Sequence, residues 1–212
     1  MNASWMERTQ LLIKEQGLER LIKAHVLIVG LGGVGSYAAE AIARSGVGNI
    51  TLIDGDSVDP SNRNRQLQAL SSTQGRNKSL LMAERILDIN PDCKLNVHER
   101  FMAPDDMKLL LKQKFSYVVD AIDSISPKLY LLHTAYYQNH KIISSMGAGG
   151  KMDPTQIQVV DISKTHTCPM AQYVRKRLKY MTIYKGIQTV FSTELPAKHS
   201  IMRTDGSKFK KS

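Results

Sequence analysis

Cysteine is scarce in this chain: Cys93 and Cys168 are the only two in 212 residues, and they form no C-x-x-C pair. Neither a disulfide framework nor a cysteine-built zinc site is therefore expected. Long apolar runs are also missing, and nothing approaches the roughly 20 residues that span a bilayer. The start, M-N-A-S-W-M-E-R, has no apolar core of a signal peptide, so the cytoplasm is the expected compartment. There is no internal repeat and no low-complexity linker. Acids are short too: 19 Asp and Glu stand against 29 Lys and Arg, a net charge of +10. The shortage is local. From Lys164 to Ser212 eleven basic residues face only Glu194 and Asp205, whereas the first 163 residues hold eighteen basic and seventeen acidic ones. Such a block favours phosphate-rich partners through counterion release, or serves as a solvated tail, and charge alone does not choose between them.

The length suffices for one substantial domain with a real core. The most informative stretch is His25 to Asp54. Val26 to Val29 reads as a buried parallel strand. Gly30, Gly32 and Gly35 follow as G-x-G-x-x-G, with Gly33 as an extra glycine. The first permits a tight turn, the second lets backbone approach a phosphate, and the third lets helix pack on strand. Ser36 to Arg44 has helical composition, and the amides at its start can face an anion. Asn49 to Ile53 is a second strand, with Asp54 at its end where a ribose hydroxyl needs an acceptor. Strand, glycines, helix and acid in this order point to a nucleotide site.

Ahead of this core, Trp5 to Lys23 reads as an amphipathic helical region broken at Gly17. Leu11, Leu12, Leu18, Leu21 and Ile22 would form its buried side, and Arg8 would be exposed. After Asp54 comes a polar loop that supplies Asp56, Asn62, Arg63, Arg65 and Gln66. A helix then runs from about Arg76 to Asn90 with Lys78 in its first turn. Helix starts favour acids, so a nearby phosphate accounts for this lysine better than solvation does. Further strands are expected over Lys94 to His98, Tyr117 to Ile122, Ile142 to Ser145 and Gln156 to Ile162, and helices over Asp105 to Gln113 and Lys128 to Asn139. Asp123, taken as the end of the Tyr117 strand, is a candidate Mg²⁺ ligand beside a triphosphate, or a helix N-cap. Tyr173 to Tyr180 is helical, with Arg175, Lys176, Arg177 and Lys179 leaving little apolar face; it is expected to be exposed, on a partner, or mobile. The whole reads as a doubly wound α/β protein: a mostly parallel Rossmann-like sheet with helices on both faces. A nucleotide-binding core with its N-terminal helix covers 1–162, and a basic C-terminal extension, 163–212, packs on it without being an independent domain.

Six ordered elements together resemble the ubiquitin-activating-enzyme-like adenylyltransferases. They are Gly30 to Gly35, Asp54 with Asp56, Ser61-Asn62-Arg63-Asn64-Arg65-Gln66, Gly75 to Lys78, Asn90-Pro91, and Asp120 to Asp123. Within that family the chain is most similar to the tRNA threonylcarbamoyladenosine dehydratases. The residues that carry this are Asp120 to Ser124, Pro127-Lys128, Gly147 to Ile157 and Phe191 to Glu194. Relatives that activate sulfur-carrier proteins usually bear two C-x-x-C pairs, which this chain lacks. Other relatives continue past the K-F-K-K-S at Lys208 to Ser212, which points to a partial sequence.

The resemblance implies an ATP- and Mg²⁺-dependent reaction on tRNA carrying threonylcarbamoyladenosine. Its carboxylate would be adenylated, and a neighbouring nitrogen would close a ring and expel AMP. Arg65 and Lys78 would neutralise phosphate charge, Asp123 would hold Mg²⁺ and Asp54 the ribose, while Asn62 and Gln66 would bind phosphates or the reacting carboxylate. Arg8 matches an arginine that reaches into the partner subunit's site, so a homodimer is implied. A sulfur-relay protein is a further partner in this reading. Arg175, Lys176, Arg177 and Lys179 become candidates for tRNA phosphate contact. The competing readings are activation of a sulfur carrier's C-terminal carboxylate and a non-catalytic nucleotide sensor or RNA-binding module. A dehydrogenase is disfavoured, since S-N-R-N-R-Q has no use around a nicotinamide.

Overall fold

Strand β1 (His25–Val29) is apolar on both faces, and the sheet is built outward from it. In the computed structural model, which describes residues 4–196, Val26 to Val29 are all buried. Leu27 and Val29 meet one helical layer, while Val26 and Ile28 meet the other. Apolar residues at both phases of the strand period are what a parallel strand covered on both sides requires.

β1 pairs in parallel with β2 (Asn49–Ile53) on one side and β4 (Tyr117–Asp120) on the other. The remaining strands are β3 (Lys94–His98), β5 (Ile142–Ser145), β6 (Ile157–Asp161) and β7 (Gln188–Ser192). The described residues thus form one seven-stranded sheet in the order β3-β2-β1-β4-β5-β7-β6. Only β6 runs antiparallel to its neighbour, β7. The expected doubly wound architecture is the one that folds. The chain moves outward from β1 to β3 and then crosses back to β4, so the strand order reverses between β1 and β4. Ligands of such sheets bind beyond the carboxyl ends at that reversal. Register brings three exits together there, because Val29 stands beside both Ile53 and Asp120.

One face of the sheet carries α2 (Gly35–Arg44) and α3 (Lys78–Ile89), packed through Leu31, Ala39, Met82 and Ile86. Glu40 of α2 ties these two helices together by accepting from Arg44 and from Arg85 of α3. The other face carries α4 (Pro104–Leu110), α5 (Ile125–Tyr137) and α6 (Pro169–Tyr180).

The first and last helices depart from expectation. In α1 (Glu7–Lys23) the break falls at Lys14, with φ 63° and ψ 175°, and not at Gly17. Gly17 serves the bend differently, since a Cβ there would lie 2.7 Å from Ile13 Cβ. Leu18 is buried, but Leu11 and Leu12 are 75% and 82% exposed, because the kink separates their turn from the segment that packs. α6 is not wholly exposed. Ala171, Val174 and Leu178 recur on one side of it and are fully buried, and this narrow stripe is enough to dock a helix whose other sides are basic. The described part of the basic extension therefore supplies α6 and β7, the latter between β5 and β6. The rest, including K-F-K-K-S, lies outside the described residues. Among the described residues no helix is long and apolar enough to cross a membrane.

Candidate functional site

The glycine turn after β1 divides its labour. Gly30 has φ +87°, and a Cβ on it would lie 2.7 Å from the Ala121 carbonyl oxygen, so the exits of β1 and β4 pass in contact. A Cβ on Gly35 would fall 1.8 Å from the Gly30 oxygen, so only glycine lets α2 start this close to the turn. Gly32 and Gly33 are different. Around them the nearest atoms to an added Cβ are Gln66 Nε2 at 3.9 Å and Arg65 O at 3.5 Å. No protein wall forbids a side chain there, and the smallness of these two glycines leaves the start of α2 open to an anion.

The turn is held from three sides. Asp54 Oδ2 accepts from Leu31 N at 2.6 Å, Gln68 Nε2 donates to Leu31 O at 2.7 Å, and Ser36 Oγ donates to Gly32 O at 2.8 Å. Asp54 sits at the carboxyl end of β2 as expected. Its other oxygen accepts from Asp56 N at 2.8 Å. Burial pushes this carboxyl above its ordinary pKa, against the opposing pull of the Asp56 and Leu31 amides. Ser36 and Gln68 were not singled out by the motif; their only sequence signal is their place just after the glycines and just after S-N-R-N-R-Q.

Lys78 opens α3 and is only 5% exposed, which rules out a solvated lysine. Its Nζ lies 3.3 Å from Asp56 Oδ2, and its backbone N–H donates to Asp56 O at 2.9 Å. The acid thus offsets the charge that α3 would otherwise repel at its start.

The polar loop folds back because Asp59 and Asn62 cap each other: Ser61 N donates to Asp59 Oδ1, and Asp59 N donates to Asn62 Oδ1 at 3.1 Å. Arg65 and Gln66 are thereby laid against the glycine turn. Arg65 is exposed, steadied by donation from Nη1 to Ser61 O and Asn64 Oδ1, both at 2.9 Å. Gln66 is buried beside Gly32, and its Oε1 has no hydrogen-bond partner among the described residues. A buried acceptor without a donor is costly and marks where a donor belongs.

Asp123 is not at the end of a strand, because β4 stops at Asp120. Nor does it cap a helix: Ser124 holds the N-cap position, and α5 begins at Ile125, three residues before Lys128. Asp123 is exposed in the loop between, accepting from Ser124 Oγ at 3.2 Å. The strand-end acid is Asp120, which is wholly buried. Lys128 Nζ reaches Asp120 Oδ2 at 2.6 Å and also donates to Ser145 O at 2.9 Å, while Ser144 Oγ donates to Asp120 Oδ2 at 2.5 Å. Asp120 Oδ1 accepts from Ile122 N, fixing the loop that leads to Asp123. On the far side of β5, Glu194 accepts from Met152 N and Asp153 N and so pins the glycine-rich segment that follows Gly147.

Other expected residues lie elsewhere. Arg8 is exposed two residues after Met6, which packs on Gly46 just before β2 begins. That is the amino-terminal rim, a strand's length of about 16 Å from the glycine turn. Arg175 is half-buried, with Nη1 donating to Thr165 O and Oγ1, while Lys176, Arg177 and Lys179 are exposed along α6. Among the described residues no three His, Cys, Asp or Glu side chains converge as a metal site. An Mg²⁺ ion here would depend on Asp123 together with phosphate oxygens, which is an ordinary donor set for this cation.

Against known proteins, the profile of the ThiF family matches residues 6–192. A tRNA threonylcarbamoyladenosine dehydratase of Bacillus subtilis is 48% identical over 189 residues, 89% of this chain and 74% of that protein. The Escherichia coli protein of that name is 46% identical, covering 90% of this chain and 75% of its own length. The crystal structure of the E. coli tRNA N6-threonylcarbamoyladenosine dehydratase in complex with ATP superposes with a TM-score of 0.89 at 43% identity, over 93% of this chain and 85% of that one.

Proposed function

The chain belongs to the ThiF family, and on that premise we propose that it adenylates the threonyl carboxylate of threonylcarbamoyladenosine in tRNA and releases AMP on ring closure. The observation that carries this reading is the open glycine pair, Gly32 and Gly33, flanked by Arg65 and by the orphaned acceptor of Gln66. A nucleotide supplies what this surface lacks. Its phosphates meet the amides at the start of α2 and the two cations, and a ribose or adenine N–H or O–H gives Gln66 Oε1 its donor.

The roles follow from placement. Each Asp54 oxygen accepts one backbone N–H and retains a lone pair for a ribose hydroxyl. Asn62 is buried in the loop cap, so its part is to shape the loop that presents Arg65. Lys78 and Arg65 stabilise negative charge as it develops on the departing pyrophosphate. Asp123 would hold Mg²⁺ with phosphate oxygens, and the ion would add further neutralisation there. A threonyl carboxylate oxygen bonds to the α-phosphorus, and the bond to the bridging oxygen breaks, so pyrophosphate leaves with that electron pair. The neighbouring nitrogen then attacks the acyl carbon and loses its proton, and AMP leaves with the former carboxylate oxygen. The net change is loss of water. Because the second attack is intramolecular, effective concentration replaces a protein nucleophile. Cys93 suits no such role: burial pushes its thiol up to about 11.

Arg8, at the opposite rim of its own chain, acts in a homodimer by reaching the partner's site. The cytoplasm is the proposed compartment, and a sulfur-relay protein is the proposed further partner. The test is AMP release with purified tRNA carrying or lacking the threonylcarbamoyl group. Stimulation by the modified tRNA alone is expected. Equal stimulation by both, or pyrophosphate exchange that requires a sulfur-carrier protein, would overturn the proposal.

A further inference from the structure

The outer side of α6 is built unlike a solubilising face. Tyr173, Lys176, Arg177 and Tyr180 recur at i, i+3, i+4 and i+7 and form one stripe, opposite the buried Ala171, Val174 and Leu178. Together the four line a shallow depression. Tyr173 is 46% exposed and Tyr180 is 74% exposed. The Arg177 guanidinium stands 5.6 Å from the Tyr173 ring centroid, a cation–π arrangement that makes a flat, positively charged platform. Among the described residues, Lys176, Arg177 and Lys179 form no ion pair. A helix face that needs only solubility gains nothing from two tyrosine rings in water. Rings interleaved with unpaired cations are the chemistry that holds unpaired nucleotides, the rings stacking bases and the cations taking phosphates.

The helix is also aimed from the site. It begins at Pro169, beside Gly147 just past the carboxyl end of β5, where Cys168 Sγ is 3.7 Å from a would-be Gly147 Cβ. Tyr173 and Tyr180 then lie about 6 and 17 Å along the axis from that rim. Nucleotides adjoining a base held at the rim would run down this stripe.

We propose that Tyr180 and the Tyr173–Arg177 platform stack unpaired nucleobases of the RNA substrate, with Lys176 holding a flanking phosphate. This rests on the tRNA reading above. Arg175, committed to Thr165, takes no part.

The test measures tRNA affinity of the full chain across a salt series, with a fully paired RNA duplex as comparison. Tyr180→Ala should weaken tRNA binding about 5- to 150-fold without changing the salt slope. Tyr180→Phe should bind within about twofold of the parent, since the ring is kept. Lys176→Ala should lower the slope of log K against log salt by about one. Duplex binding should be the same for Tyr180→Ala and the parent. The KM for ATP reports that each variant is folded. A Tyr180→Ala protein that binds tRNA like the parent, or loses duplex and tRNA binding equally, overturns the stacking site. A parent chain that binds no tRNA at all would instead remove the substrate reading itself.

Discussion

Lys128 Nζ lies 2.6 Å from Asp120 Oδ2 with both side chains wholly buried, and the same ammonium donates to Ser145 O. The pair therefore joins the ends of β4 and β5 beneath the strand-order reversal. It steers two loops, one through Ile122 N to Asp123 and the other from Ser145 towards Gly147.

Lys128→Met should cost about 3–5 kcal/mol, because it leaves the Asp120 charge buried and unpaired. Lys128→Met combined with Asp120→Asn should recover much of that loss, since no lone charge remains. Denaturant midpoints check both. A single variant within about 1 kcal/mol of the parent would contradict the clamp.

The four glycines should separate by function. Gly35→Ala places a methyl 1.8 Å from the Gly30 oxygen and should prevent native folding. Gly32→Ala meets only Gln66 Nε2 at 3.9 Å, so it should keep its thermal midpoint within about 4 °C yet raise the KM for ATP at least tenfold. Melting curves and ATP titrations decide. Equal loss of stability in the two variants would contradict the division of roles.

Acidification should act through Asp54. Its raised pKa means that it takes up a proton at a pH above the ordinary value of 3.8. Between those two values the folded chain holds the extra proton, so this group's contribution to stability falls as pH rises through the folded pKa. Binding runs the other way, because the proton removes the ionised acceptor of Leu31 N and of the proposed ribose hydroxyl. The KM for ATP should therefore climb as pH falls towards that raised pKa. Asp54→Asn should show a high KM with no such limb, and persistence of the limb in Asp54→Asn would contradict the assignment.

Arg8 acting across subunits is testable by mixing. Arg8→Ala and Arg65→Ala should each be inactive, whereas hybrids formed from them contain one site with both arginines. Random mixing should restore about a quarter of parent activity, from half of the dimers at one of two symmetric sites. No recovery after verified subunit exchange would place Arg8 outside the site.

What the sequence made legible were features set by local rules. Gly30 and Gly35 were readable because close approach and positive φ tolerate little else, and β1, β2 and β4 followed from their β-rich runs. The position of Lys78 against its helix start was readable as an electrostatic anomaly, although its partner Asp56 was not. The Asp120–Lys128 clamp stayed hidden because it joins side chains from a strand and the helix after it, a match that only tertiary packing creates. The end of β4 is hidden for a local reason: apolar Ala121 and Ile122 extend the strand pattern, while Asp120 already turns the chain by accepting from Ile122 N. The bend at Lys14 left no local mark, since lysine is an ordinary helix residue. The docking of α6 was obscured because three small or medium apolar residues, Ala171, Val174 and Leu178, suffice for a seat that its charge appeared to forbid.

In the proposed reaction a carboxylate oxygen of the substrate attacks the α-phosphorus of ATP. Modified tRNA with ¹⁸O in the threonyl carboxylate, followed by mass analysis of the AMP released, examines that bond. One ¹⁸O atom per AMP is expected. Unlabelled AMP, formed at the same rate from the same tRNA, would contradict it.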